Sequence, residues 1–402
     1  MGQHSTSSGL PNAVTPVSPT AHEEGRDLPL ADSHRAHPLD VLVLTAHPQG
    51  TVPGQRFRFE QQREALADRG IRLNVSSFLS ADMSSRVYRP GGYAFKVGAF
   101  LHGTGTRIRD LLSARDYDVA LVHKGATPLG YPFVERLLAS FGIPYVFDFD
   151  DAIYLPLISE ANRIVAPLKF ARRAEVIARH ADLIVTGNRY LADWAERHNR
   201  NVRVIPTTID MRIYRSLAPR EPGDRPVCVG WSGSSHNVRH LNLLAPVLRD
   251  LQKEAGIMIK VIGDPDYRIA GAEVRATRWQ EATEIADLTD IDIGVMPLPD
   301  DEWARGKCGL KALQYMALGI PTVMSPVGVN TEIARDHAAL LASTDYEWRA
   351  ALRKLIADPA LRRELGERGR RRVESEYSAD VAAPLWADAL RSVVRTVPRS
   401  GT

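Results

Sequence analysis

Apolar residues in this chain alternate between two rhythms. Short runs of β-branched and aliphatic residues end in Gly- or Pro-bearing loops, the first being Asp40-Val41-Leu42-Val43-Leu44-Thr45 before the loop that spans His47 to Gly54. A continuous apolar run followed by turn residues reads as a strand buried on both faces, as in a parallel sheet. Stretches of helical spacing lie between the runs. The pattern predicts strands over 40–45, 71–75, 118–123, 144–149, 182–186 and 202–205, with helices over 55–69, 93–114, 131–141, 157–180 and 189–198. Strands alternating with helices imply a doubly wound parallel sheet.

Residues 217–225 are polar, contain two prolines and read as a linker. The same rhythm then restarts. Strands are predicted over 227–230, 258–262, 291–296 and 322–325, and helices over 238–253, 280–288, 309–318, 346–357, 359–375 and 378–394. The helix over 309–318 has the clearest stop, Gly319 with Pro321 beyond it. The α/β organisation expected is an arm over 1–38, a Rossmann-like domain over 39–216, a second over 217–377, and a last helix and tail over 378–402.

Composition narrows the class. A chain of 402 residues exceeds one ordinary domain, and 44% hydrophobic with 25% charged residues is the balance of a soluble globular protein. A net charge of +3 gives no ground for a nucleic-acid partner. Cys228 and Cys308 lie far apart, which argues against a disulfide framework and fits a reducing cytoplasm. No apolar run reaches the length of a membrane span. The first 38 residues, rich in Ser, Pro, Thr, His and Ala, lack the apolar core of a signal peptide and are expected to be disordered. Met1 to Thr6 fits a myristoylation pattern short enough to occur by chance.

Ligands of open α/β sheets bind where strands end, so the loops after strands are where chemistry is sought. The segment Gly306-Lys307-Cys308-Gly309-Leu310-Lys311 places Lys307 just before a helix and Lys311 in its first turn. Lysine is normally favoured at the other end of a helix, and free N–H groups with a partial positive charge already suit this end to phosphate. Two added cations strengthen that site; the plainer reading is two solvated lysines. Gly230-Trp231-Ser232-Gly233-Ser234 follows the first strand of the second unit, where small residues let backbone approach a phosphate or sugar, though a simple tight turn accounts for it equally well alone.

Taken in order, Gly230–Ser234, Asp292–Leu298, Gly306–Lys311, Tyr315-Met316-Ala317-Leu318-Gly319-Ile320-Pro321 and Ser325–Asn330 resemble the family-4 glycosyltransferases of the GT-B fold, over roughly residues 40 to 395. Val204 to Asp210 looks like that family's link into its second domain. The resemblance implies two Rossmann-like domains facing across a cleft and transfer, with retention, from a nucleoside diphosphate sugar, UDP rather than GDP. It implies no obligatory metal and no other cofactor. It also implies that the last helix returns to the first domain, for which Val381, Leu385, Trp386, Leu390 and Val393 recur at helical spacing. Lys307 and Lys311 would stabilise the departing diphosphate, with Gly230, Trp231, Ser232, Gly233, Ser234, Gly309 and Leu310 around the donor. His123, closing the strand over 118–123, matches a histidine the family places near the donor sugar; a strand-end histidine bonded for structure is the alternative. This sequence departs from the family where two glutamates are usual, carrying Gly306 and Gln314 instead. An amide at 314 can still bond ribose hydroxyls, and Asp301 or Glu302 could replace the carboxylate missing at 306.

Three more features belong to the first unit. Asp148, Asp150 and Asp151 cluster at a strand end; like charges so close need a cation, a polyol or arginines. Asp148-Phe149-Asp150 also fits the Asp-x-Asp metal motif of one-sheet GT-A enzymes, but the second α/β unit with its phosphate-type loops favours acceptor binding. Lys124, Arg56 and Arg58 are placed with them on the acceptor side. Lys169, Arg172, Arg173 and Arg179 form a basic run, ordinarily a solvated face, that would suit a membrane surface if the acceptor were lipid-linked. The rival readings are a sugar-nucleotide epimerase and a degenerate sugar-nucleotide-binding partner subunit.

Overall fold

The computed structural model describes residues 38–87, 91–155, 172–215, 225–235 and 237–395. Two all-parallel sheets of six strands organise them. The first contains β1 (Leu39–Thr45), β2 (Ile71–Ser77), β3 (Val119–His123), β4 (Tyr145–Phe149), β5 (Leu183–Thr186) and β6 (Val202–Val204), in the order β2-β1-β3-β4-β5-β6. The second contains β7 (Cys228–Ser232), β8 (Met258–Ile262), β9 (Val274–Thr277), β10 (Ile293–Met296), β11 (Thr322–Met324) and β12 (Leu340–Leu341), in the order β12-β11-β10-β7-β8-β9. From β1 the chain moves outward to β2, then crosses to β3; from β7 it moves to β8 and β9, then crosses to β10. Each reversal parts the loops leaving adjacent strands and opens a crevice at their carboxyl ends. The loops after β1, β3, β7 and β10 therefore form the walls of the site.

The helices that matter below are α1 (Tyr93–Ser113), α2 (Arg173–His180), α3 (Glu284–Thr289), α4 (Leu310–Ala317), α5 (Pro359–Glu376) and α6 (Ala379–Ser392). Central strands are buried throughout, with Val41, Val43, Val119, Val146 and Val185 at the core of the first sheet. Residues from Pro38 onward form one compact unit. The chain crosses back between α5 and α6, where Ile209 N donates to Tyr377 O (2.8 Å) and Ala379 N donates to Ile209 O (2.9 Å). Helix α6 then buries Ala382, Trp386, Ala387, Leu390 and Val393 against the first sheet. Of its expected apolar face, Leu385 is instead 43% exposed and Val381 only half-buried. Alanines take their place, because a helix lying close on a sheet leaves room for small residues.

One predicted helix forms differently, and two strands form that the pattern did not predict. The helix over 55–69 is broken into Pro53–Gln55, a π-turn over Arg56–Glu60 and a helix over Arg63–Ala67. Such π-turns change which side chains face inward, and here Arg56, Phe57, Arg58 and Phe59 are all buried. The strands β9 and β12 carry no apolar-run signal: β9 is an edge strand with Arg275 and Thr277 facing solvent, and β12 has only two residues. Of the helix over 157–180 only Arg173–His180 is described. The arm over 1–38 and the linker over 217–225, Pro38 and Arg225 excepted, lie outside the described residues.

Candidate active site

On the first wall, β3 delivers His123 and β4 delivers Asp148, paired across the ladder. His123 Nδ1 lies 2.7 Å from Asp148 Oδ2, and Asp148 also accepts from Arg58 Nε at 3.1 Å. Burial alone would raise the Asp148 pKa, but Arg58 and His123 outweigh it and bring it down to about 2. The ionised Asp148 carboxylate accepts from Nδ1 and so orients the ring, with Nε2 turned away from it. That Nε2 faces the loop after β1, where a Cβ on Gly54 would lie 3.3 Å from it and 3.0 Å from Lys124 Nζ. Lys124, in left-handed backbone at φ 57°, spans Asp150 Oδ1 (2.6 Å) and Asp151 Oδ2 (2.7 Å). Burial works against its charge, yet the two carboxylates raise its pKa far above the lysine range, and Lys124 in turn outweighs burial to lower that of Asp150.

The second wall is built differently. The N-terminus of α4 follows Gly309, whose φ of +72° suits glycine and whose Cβ would meet Ile333 Cδ1 at 2.2 Å. Lys311 stands in the first turn with its ammonium 5.5 Å from the Trp231 ring centroid, and Gly233 packs against its stem. Lys307 Nζ sits 5.6 Å from the Trp303 ring. Neither ammonium has an ion-pair partner among the described residues. Burial, then the neighbouring Lys307, lower the Lys311 pKa to about 7, against a smaller opposing pull from Asp151. His240 lies within reach of the same charges. Its Nε2 is buried without a hydrogen-bond partner, and burial, Lys307, Arg239 and Lys311 lower its pKa to about 4.

Contacts between the walls are close. Asn188 Nδ2 donates to Lys307 O at 3.0 Å, and Cys308 Sγ lies 3.2 Å from Asp150 O. A Cβ at Gly306 would sit 2.8 Å from that of Ala152, so position 306 has no room for the usual glutamate. Further out, Arg56 forks onto Glu284 (2.8 and 3.2 Å) and contacts Glu281 at 3.3 Å. Glu284 also accepts from Tyr214 (3.0 Å), Trp279 (2.9 Å) and Gln314 (3.1 Å), and Gln314 donates to Tyr214 Oη at 2.7 Å. Despite burial, the Arg56 guanidinium holds the Glu284 carboxyl below its usual range.

Several expected contacts are corrected by this geometry. Arg58 and Asp148 have fully buried side chains engaged with one another, so neither can touch an acceptor; both position His123. Arg56 is committed to Glu284 and Glu281 across the cleft instead of facing an acceptor. Gly230 lies inside β7, where a Cβ would meet Ile291 at 2.3 Å, so its glycine serves packing and not donor approach. Ser232 is also buried, its N–H given to Tyr315 Oη at 2.7 Å, whereas Ser234 is exposed. Leu310 is partly buried against the second core. Gln314 has both N–H groups engaged, leaving its carbonyl oxygen for any ribose. Glu302 is exposed on the short helix Glu302–Arg305, and Asp301 caps that helix by accepting from Ala304 N at 2.7 Å. The basic run is not an open cationic patch: Arg173 reaches Thr127 and Glu135, while Arg172 and Arg179 both pair with Glu175; Lys169 is outside the described residues.

The structure also brings in residues that sequence reasoning missed. His47 joins His123 and Lys124, and burial followed by those two charges lowers its pKa to about 4. Glu284, Tyr214, Trp279 and His240 come from segments without motif character, and only the fold gathers them. Among the described residues, no group of three or more His, Cys, Asp or Glu side chains is arranged to hold a metal ion.

Two parallel six-stranded sheets with facing crevices are the GT-B fold. Residues 226–358, about a third of the chain, match the family described as Glycosyl transferases group 1, so the chain carries a glycosyltransferase domain there. Sucrose-phosphate synthase from Thermosynechococcus elongatus superposes with a TM-score of 0.63 at 15% identity, covering 88% of this chain and 98% of its own. HepE from Anabaena, in complex with UDP-glucose, gives 0.61 at 16% identity, covering 88% of this chain and 100% of its own. WaaG, a glycosyltransferase involved in lipopolysaccharide biosynthesis, gives 0.56 at 12% identity over 88% and 99%. No curated protein matches the chain by sequence. No helix among the described residues is long and apolar enough to cross a membrane.

Proposed function

We propose that this glycosyltransferase acts in the cytoplasm, taking a sugar from a nucleoside diphosphate sugar, UDP in preference to GDP, and passing it with retention to a hydroxyl acceptor in the manner of family 4. The observation that carries this reading is the pair of lysines at the start of α4 without an ion-pair partner among the described residues, one of them with a pKa near 7. A cation kept partly neutral by burial is a costly arrangement unless an anion completes it. A diphosphate placed there receives the helix N–H groups, Lys307 and Lys311 together, and the charge that grows on it as the sugar leaves is stabilised where water is excluded. These groups supply the positive charge that a divalent ion supplies elsewhere, so no metal enters the reading. A neighbour of the same fold is known with UDP-glucose bound.

On the facing wall, His123 Nε2 hydrogen-bonds a sugar hydroxyl, and Lys124 with Asp150 and Asp151 presents donors and acceptors to the acceptor. Calorimetric titration of the protein with UDP, GDP and UDP-sugars tests the reading. Saturable UDP binding stronger than GDP binding is expected; binding of neither nucleotide would remove its basis.

A further inference from the structure

Helix α1 packs in an unusual way. Its buried positions are Ala99, Gly103, Arg107 and Asp110. A Cβ on Gly103 would collide with the Phe78 ring at 2.3 Å, so the helix lies close against that ring. Arg107 satisfies Ala126 O at 2.6 Å, Thr45 O at 2.7 Å and the Asp110 carboxylate. The large apolar side chains point the other way. Tyr93 is 63% exposed, Val97 60%, Leu101 65%, Ile108 52% and Leu112 82%. At the turn of an α-helix these five positions fall within an arc of about 100° and run most of its ~30 Å length. A stripe of this size on the outside of a folded protein marks a contact surface.

We propose that the outer face of α1 docks the enzyme on an anionic lipid bilayer, lying in the plane of the headgroups. Charge names the occupant. The exposed and half-exposed ionisable side chains of α1 are Lys96, His102 and Arg109, and its only acid, Asp110, is buried against Arg107. On the helical wheel Lys96 and Arg109 fall on opposite margins of the apolar stripe. Apolar centre, cationic margins and no exposed carboxylate form the pattern of an interfacial helix. A second copy of this chain fits less well, since a twofold contact would bring this cation-edged patch against itself. The inference concerns where the reaction takes place and is independent of the donor chemistry above.

The test is co-sedimentation of the full chain with vesicles of phosphatidylcholine alone and of phosphatidylcholine with phosphatidylglycerol. The expected result is partition onto the phosphatidylglycerol vesicles, weakened by about tenfold or more in Leu101→Glu/Ile108→Glu. Lys96→Glu/Arg109→Glu is expected to abolish the preference for anionic over neutral vesicles. Both double variants change exposed or half-exposed groups, and unaltered circular dichroism and UDP binding check that they fold. Failure of the unaltered chain to bind anionic vesicles overturns the proposal, as does equal binding by Leu101→Glu/Ile108→Glu. Dimers of the unaltered chain that Leu101→Glu/Ile108→Glu dissociates would assign the face to self-association and overturn it equally.

Discussion

The two walls of the cleft are both rich in charge, but they handle it in opposite ways. On the first, each charge is answered from within the fold: Asp148 by Arg58 and His123, Lys124 by Asp150 and Asp151. On the second, Lys307 and Lys311 are answered by no carboxylate at ion-pair distance among the described residues, and burial with the neighbouring Lys307 lowers the Lys311 pKa to about 7. A wall with balanced charge is pre-organised to bind hydroxyls; a wall with surplus cation is incomplete until an anion arrives. The proposed placement of donor phosphate on the second wall, and of neutral, polar chemistry on the first, rests on that difference.

Deleting α6 should have the largest effect. A chain ended at about residue 375 loses Ala382, Trp386 and Leu390, whose side chains are buried against the first sheet. It is expected to lose cooperative thermal unfolding and all transfer; an active, cooperatively folding truncation would show that the walls do not depend on that helix. Asp148→Ala comes next. It leaves Arg58 buried and unpaired, and a loss of about 3–5 kcal/mol in urea-unfolding stability is expected. A loss below about 1 kcal/mol would mean that water reaches Arg58 and that the first wall is not closed as described.

Lys311→Ala is expected to weaken UDP binding by about 1.5–3 kcal/mol, the range for a charge-assisted hydrogen bond, without loss of unfolding stability at neutral pH. Unchanged affinity by calorimetry would erase the contrast between the walls. The same lysine gives a pH signature. Its folded pKa of about 7 lies below the unfolded value of 10.5, so over that window the unfolded chain binds more protons. Stability attributable to this group therefore rises with pH from about 7 to 10.5, and Lys311→Met should flatten that slope. Nucleotide binding that restores the charge should take up nearly one proton at pH 8 and much less at pH 6, read from calorimetry in buffers of different ionisation heat. No uptake at pH 8 would place the diphosphate elsewhere. The smallest effect expected is that of EDTA, which should leave transfer unchanged. Loss on chelation with recovery on adding manganese would return Asp148, Asp150 and Asp151 to the metal-binding reading.

The sequence by itself determined most of the fold. Apolar runs such as 40–45 and 144–149 announce strands buried on both faces, because a parallel sheet covered by helices hides every side chain of its central strands. The start of α4 was legible too, since two lysines where a helix disfavours them is a conflict readable along one segment. What only the tertiary structure decided was which groups meet and which face of an element is covered. Arg56 and Arg58 are two residues apart on a segment read as an ordinary helix, yet the π-turn sends one to Glu284 across the cleft and buries the other under Asp148. Glu284, Tyr214 and Gln314 converge from three distant segments without a shared pattern. Helix α1 shows the limit most plainly: its spacing predicts the helix, but small and paired residues are buried while its large apolar ones face outward. Periodicity records the repeat of a helix, whereas the side that is covered depends on how closely the neighbouring sheet approaches, and that distance is set by contacts remote in the chain.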